Sequence, residues 1–155
     1  MLNKYNMIRQ ERSLDFSYIA QDPVRPELDM AFRNSRGREV YSFIYNHEVA
    51  AVICIAYVNT IPVTMIELME YSCDPVDATI AIPYTVWSYK KGFGRSMVLD
   101  GIDSISEKYP NILKFVTLSP KTEMAYKFHT GNGAIHIASN HESDNYEYPQ
   151  KILAK

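Results

Sequence analysis

The stretch Tyr89-Lys90-Lys91-Gly92-Phe93-Gly94-Arg95-Ser96 holds the residue types best suited to binding chemistry in this chain. Two glycines let a backbone turn tightly and aim several N–H groups at one point. A helix starting there adds the positive end of its dipole, and Lys90, Lys91 and Arg95 add full charges. Such a loop suits a phosphate or pyrophosphate; the competing reading is a solvated turn. It is not a P-loop, because the Gly-Lys-Ser/Thr ending is missing. It is not the dinucleotide fingerprint either, because the third glycine and the later acidic residue are missing. His129 is the second candidate, near the end of an expected helix. Its ordinary pKa of ~6.5 suits proton transfer near neutral pH. The bland reading is a surface histidine favoured by the negative end of the helix dipole.

Other candidates carry less. The strand expected over residues 78–89 contains no Asp or Glu, while Asp77 just precedes it and Glu67 and Glu70 lie upstream. These read as solvated charges. His47, His136 and His141 show no metal spacing with Cys or Asp. Cys54 and Cys73 make neither a disulfide framework nor a zinc site.

The positioning elements follow from pattern. Pro26 and Glu27 suit the first turn of a short helix through Leu28, Met30, Ala31 and Phe32 that ends by Gly37. Residues 39–46 and 48–58 read as a β-hairpin joined at Asn46-His47-Glu48, its second strand buried on both faces. Residues 64–71 fit a short helix or a strand. Pro83, inside the strand 78–89, requires a bulge or an edge position. Residues 93–109 are helical, with Val98, Ile102, Ile105 and Tyr109 on one face, and Pro110 stops them. Residues 112–118 form a strand. Ser119-Pro120 reads as N-cap and first residue of the next helix, which runs to about His129. Gly131 or Asn132 would close it in the left-handed conformation. Strands over 134–138 and near 146–148 complete the chain.

The expected fold is therefore α/β: a mixed, mostly antiparallel sheet with helices on both faces and a central parallel strand pair joined by a right-handed crossover. That pair should splay, with the strands ending near Ser88 and Leu118 parting to leave a crevice at their carboxyl ends.

The chain has 155 residues, 46% of them hydrophobic and 22% charged. One domain spanning residues 1–155 fits that length, and the composition excludes a disordered chain. A net charge of −2 argues against a nucleic-acid binder. The apolar run 49–58 is too short for a membrane span. The polar start is no secretory leader, so a cytoplasmic setting is expected.

Gly92 and Gly94 in their strand-loop-helix context resemble the coenzyme A loop of the GCN5-related N-acetyltransferase superfamily, Gln/Arg-x-x-Gly-x-Gly/Ala. Tyr89 stands where Gln or Arg is usual. That superfamily's later helix carries Ala and, four residues on, an acid tyrosine; here Ala125 is followed by His129. A narrower resemblance is to the acetyltransferase-like domain of malonyl-CoA decarboxylases. It is carried by Lys108-Tyr109-Pro110, by Phe115-x-Thr117-Leu118-Ser119-Pro120 and by Phe128-His129-x-x-Asn132-Gly133-Ala134. In that domain a histidine of the Phe-His segment works with a hydroxyl residue on the strand before the coenzyme loop, a role that Thr85, rather than Ser88, would fill here.

The resemblance implies acetyl-CoA or coenzyme A as cosubstrate and no metal. Val86 and Trp87 would lie along the pantetheine, although Trp87, like Tyr84, also reads as a packing residue. Lys90, Lys91, Gly92, Phe93, Gly94, Arg95 and Ser96 would hold the phosphates, with Ser119 across the crevice. His129 and Thr85 would be catalytic. The implied activity is acetyl transfer to an amine on an unidentified small molecule or protein. The alternatives are malonyl-CoA-type decarboxylation and a non-catalytic protein that works by docking on a partner. Two copies of so small a sheet would readily pair.

Overall fold

The computed structural model describes residues 8–12 and 21–150. One seven-stranded sheet organises them, in the order β1-β2-β3-β4-β5-β7-β6. Strand β1 is Ile8–Glu11, β2 Arg38–Tyr45, β3 Glu48–Val58 and β4 Ile80–Ser88. Strand β5 is Lys114–Val116, β6 Ile135–Ser139 and β7 Asp144–Tyr148. Every neighbouring pair is antiparallel except β4 and β5.

Asn46 and His47 both take positive φ (52° and 67°), the geometry of a two-residue hairpin turn whose twist matches its strands. The strand β3 that follows is fully buried from Ala50 to Val58. One of its faces packs with Met97, Val98 and Ile105 of helix α3 (Phe93–Lys108). The other packs with Leu68 of helix α2 (Met65–Tyr71) and with Met30 and Phe32 of helix α1 (Met30–Arg33). Helices thus cover both faces, as the pattern implied.

Four local readings change. Helix α1 starts later than Pro26: Asp29 is its N-cap and accepts from the Phe32 N–H at 2.8 Å, so Pro26 and Glu27 belong to the preceding turn. Residues 64–71, open between helix and strand, form α2. Thr64 accepts from the Glu67 N–H, and Glu67 reaches back to the Val63 N–H, so one amide of the first turn and the amide just ahead of the cap are satisfied reciprocally. Ser119 is not a cap. Its backbone exchanges two 2.9 Å hydrogen bonds with Asp144, and its hydroxyl bonds Thr117. Thr122 is the N-cap of helix α4 (Glu123–Gly131) instead. The left-handed residue beyond α4 is Gly133 (φ +98°), while Asn132, the C-cap, stays at φ −87°.

Pro83 produces a bulge on a central strand. Cys54 faces Thr85 and Ile55 faces Pro83, which leaves Tyr84 as the extra residue. An extra residue bends its strand and re-aims its neighbours. The parallel pair joins at Ile80–Lys114 and Ala81–Phe115, preceded by bonds from the Leu113 and Lys114 N–H groups to the Thr79 carbonyl and followed by one from the Leu118 N–H to the Pro83 carbonyl. Past that point Arg25 fills the gap. Its guanidinium donates to the carbonyls of Tyr84 (2.9 Å) and Leu118 (3.1 Å). The strands part as the sequence implied. The two carbonyls that the parting exposes would cost free energy if left unpaired, and a cation satisfies both.

Candidate functional site

A cavity of ≈ 470 Å³ occupies the parting. The outgoing half of β4 forms one wall, α4 the opposite wall, and Pro23 and Val24 close one side. Thr85, Val86, Trp87, Ser119 and His129 all line it, and Gly94 stands at its edge. A side chain at Gly94 would meet the Phe128 ring at 3.4 Å and the Ser88 hydroxyl at 3.6 Å, so glycine keeps this edge open.

The remaining loop residues lie outside the cavity walls. Lys90, Lys91 and Gly92 are exposed. Gly92 is the N-cap of α3, with φ +87° and no side chain of its own to satisfy the helix start. The Phe93 N–H donates to the Lys90 carbonyl at 3.2 Å, while helix geometry leaves the Gly94 and Arg95 N–H groups without intrahelical acceptors, the arrangement that suits an anion. The Phe93 ring turns inward and packs on Phe43 and Tyr45 at 5.2 and 5.1 Å, anchoring the loop to the core. Arg95 donates to the Gly131 carbonyl (3.1 Å) and to Asn132 Oδ1 (3.2 Å), at the end of α4. The Ser96 hydroxyl points back to the Gly92 carbonyl at 3.4 Å.

His129 is buried, at 8% exposure. Its ring stacks on Tyr146 at 5.1 Å, and its Nδ1 lies 2.7 Å from the Tyr148 hydroxyl. Burial pushes the imidazole pKa down to about 4 and the Tyr148 phenol up to about 12. At pH 7 both groups are therefore neutral. This corrects the expectation of an imidazole that titrates near 6.5. Since the pKa falls on folding, the unfolded chain binds an extra proton between about pH 6.5 and 4. The stability this site contributes is complete above pH 6.5 and is lost as the pH falls through 4, an effect of roughly 2–4 kcal/mol. Denaturant unfolding of wild type and His129→Phe at pH 7 and pH 4.5 should show the smaller acid loss in the variant; parallel losses would rule out a buried neutral histidine.

Thr85 is also buried, and its hydroxyl is engaged. It lies 2.9 Å from both carboxylate oxygens of Asp22. Asp22 in turn accepts from Arg33 Nη1 at 2.8 Å and from the Val24 and Arg25 N–H groups, with both members of the ion pair fully buried. Thr85 is thus the cavity-side end of a network that runs to Arg33 and on to the Cys54 thiol at 3.5 Å. Asp22, Arg25, Arg33 and Tyr148 escape a motif-based reading. The signal available was modest: charged residues flanking two prolines at 22–26, and a tyrosine in the last strand.

Among the described residues, no helix is long and apolar enough to cross a membrane, and no three His, Cys, Asp or Glu side chains gather as a metal site would require.

No family model and no curated protein matches the chain. Solved structures do. The malonyl-CoA decarboxylase from Rhodopseudomonas palustris aligns with a TM-score of 0.56 and 21% identity over 81% of this chain and 34% of that one. The chain spans about a third of the length of the malonyl-CoA decarboxylases it matches. The GNAT domain of S. lividans PAT aligns with a TM-score of 0.65 and 13% identity over 91% of this chain and 88% of that one. The Campylobacter jejuni N-acetyltransferase PseH, in complex with acetyl coenzyme A, aligns with a TM-score of 0.60 and 10% identity over 94% of this chain and all of that one.

Proposed function

The fold is that of the GCN5-related N-acetyltransferases and of malonyl-CoA decarboxylase, and from it we propose that this chain binds a coenzyme A thioester in the cavity and transfers its acetyl group to an amine. The observation that carries the reading is the continuity of the site. The N-terminus of α3 opens beside Gly94, Gly94 edges the cavity, and His129 and Thr85 stand on its walls. The pyrophosphate would sit at Gly92 to Ser96 near Lys90, Lys91 and Arg95. The pantetheine would run along Val86 and Trp87 past Ser119.

His129 then works as a neutral donor. In this reading Tyr148 donates to Nδ1 across their 2.7 Å contact, which places the ring proton on Nε2, an atom with no protein partner among the described residues. An Nε2–H aimed into a low-dielectric cavity stabilises negative charge as it develops, whether on a tetrahedral oxyanion or on a departing thiolate. The Thr85 hydroxyl, held by Asp22, fixes the β4 wall opposite.

A second reading has its own support. Identity to the decarboxylases is 18–21%, against 10–13% for the acetyltransferases. The hydroxyl and imidazole that decarboxylation of a malonyl-type thioester would use line one cavity. The same Nε2–H would then stabilise a thioester enolate.

Product analysis separates the two. Acetyl-CoA with a panel of amines should give free thiol and an amide; malonyl-CoA alone should stay intact. Release of carbon dioxide and acetyl-CoA from malonyl-CoA, slowed strongly by Thr85→Val, would replace the first reading with the second. Inertness toward both thioesters would leave a non-catalytic binder.

A further inference from the structure

A second cavity, of ≈ 360 Å³, opens far from the coenzyme crevice. It lies where β1 ends (Gln10, Arg12), where β2 begins (Arg38, Glu39), in the turn between α1 and β2, and beside Asp74. Arg38 faces Ala56 of β3, which faces Ile82 near the start of β4. The cleft therefore belongs to the end of the sheet where β4 begins, and the crevice to the end where it finishes.

Its arginines are unlike those elsewhere among the described residues. Arg9, Arg25, Arg33 and Arg95 each donate from the guanidinium to protein acceptors. Arg12 and Arg36, both exposed, give no side-chain hydrogen bond among the described residues, and buried Arg38 hydrogen-bonds through Nε alone, to the Phe32 carbonyl at 2.7 Å, with its guanidinium 4.2 Å from the Phe32 ring centroid. Lys108 lies outside the lining, 2.6 Å from Gln10 Oε1, 3.2 Å from the Tyr41 hydroxyl and 4.0 Å from the Glu39 carboxylate. Beside the three arginines the lining holds two carboxylates, Glu39 and Asp74. Glu39 already accepts from the hydroxyls of Tyr41 (2.6 Å), Tyr57 (2.8 Å) and Tyr109 (2.7 Å). Asp74 already accepts from the Val76 N–H at 3.1 Å. A chain of net charge −2 thus gathers a local excess of positive charge in one concavity.

The cleft is also held in shape. Gly37 has φ +82°, and a Cβ there would lie 2.7 Å from the Cys73 N and O, so the turn is pressed onto that backbone. The Gly37 carbonyl accepts from the Tyr57 N–H at 2.8 Å, and the Arg38 N–H returns to the Ser35 carbonyl at 2.9 Å. The Asn34 amide donates to the carbonyls of Glu11 and Arg12, which fixes Arg12 on the rim.

We propose that this cleft binds the phosphate group of a small anionic ligand. Guanidinium forks pair bidentately with phosphate oxygens, and the lining sets three guanidinium groups against two carboxylates that protein donors already hold. The volume lies in the range of small-molecule sites and exceeds what an inorganic ion fills, so a phosphate monoester fits better than the free ion. The site is independent of the thioester chemistry at the other end.

Calorimetric titration of the full chain, at fixed ionic strength, with inorganic phosphate and with phenyl phosphate tests it. Both should bind, the monoester more tightly, and a double variant Arg12→Gln/Arg36→Gln should weaken both at least tenfold while its circular dichroism stays native. Equal binding of the two probes would assign the site to the free ion, within the same phosphate chemistry. Undiminished affinity in the double variant, or no binding of either probe, would overturn the proposal.

Discussion

Replacing His129 with alanine should lower turnover by roughly 10²–10⁴-fold, the usual worth of a positioned acid, base or donor, on whichever thioester the wild type consumes. Coenzyme affinity should change by less than about twofold, because the lost interaction forms mainly in the transition state. The pH profile carries a second test. With burial pushing its pKa down to about 4, the imidazole stays neutral from pH 6 to 8, so this residue gives no inflection near 6.5. Full activity in His129→Ala would reduce the residue to a packing element between Tyr146 and Phe128. A wild-type inflection near 6.5 that vanishes in the variant would make the active form an imidazolium.

The largest stability effect should come from Arg33→Leu. Arg33 and Asp22 are fully buried, 2.8 Å apart. Breaking such a pair strands a carboxylate in the interior and costs about 3–5 kcal/mol, more than the pair itself need contribute. For a domain of this size that is a Tm loss of roughly 6–20 °C. Adding Asp22→Asn to Arg33→Leu removes the stranded charge and should restore part of the loss. A single variant within 1 °C of wild type, or a double variant worse than the single one, would refute this role. The ion pair matters for the site as well, because Asp22 holds the Thr85 hydroxyl and the Pro23–Val24 wall.

The sheet was legible wherever period and turn chemistry agreed. Asn46-His47 between two apolar runs marked the hairpin, and the steps from Val98 to Ile105 marked the helix that covers it. Pro83 announced the bulge without revealing that β4 is central, because a proline removes a donor from either kind of strand. The helix over Met65–Tyr71 was readable in Thr64-x-x-Glu67, a capping signal that its short length and Ile-Met-Leu content obscured. Ser119-Pro120 misled because serine before proline is the usual sign of a helix start. Here tertiary pairing with Asp144 takes the serine into the sheet, and the cap passes to Thr122.

The candidate site was legible in part. Glycines in a strand-loop-helix context pointed to the start of α3 at one end of the cavity, and a histidine in place of the usual tyrosine pointed to the other. The state of that histidine was not legible, since the Tyr146 and Tyr148 rings that bury it come from a strand 15 residues or more further along the chain. Nor was the Arg25 wedge. Its two acceptors are backbone carbonyls, 59 and 93 residues distant, which no residue type announces.

The central claim is that the crevice beside Gly94 takes a coenzyme A thioester. Calorimetric titration of acetyl-CoA into the wild type and into Gly94→Val tests it most directly. A valine there would project toward the Phe128 ring and the Ser88 hydroxyl, across the edge of the cavity. The account expects one acetyl-CoA per chain for the wild type and at least tenfold weaker binding for Gly94→Val, with the variant's fold intact by circular dichroism. No heat of binding to the wild type, or equal affinity in both proteins, would contradict it.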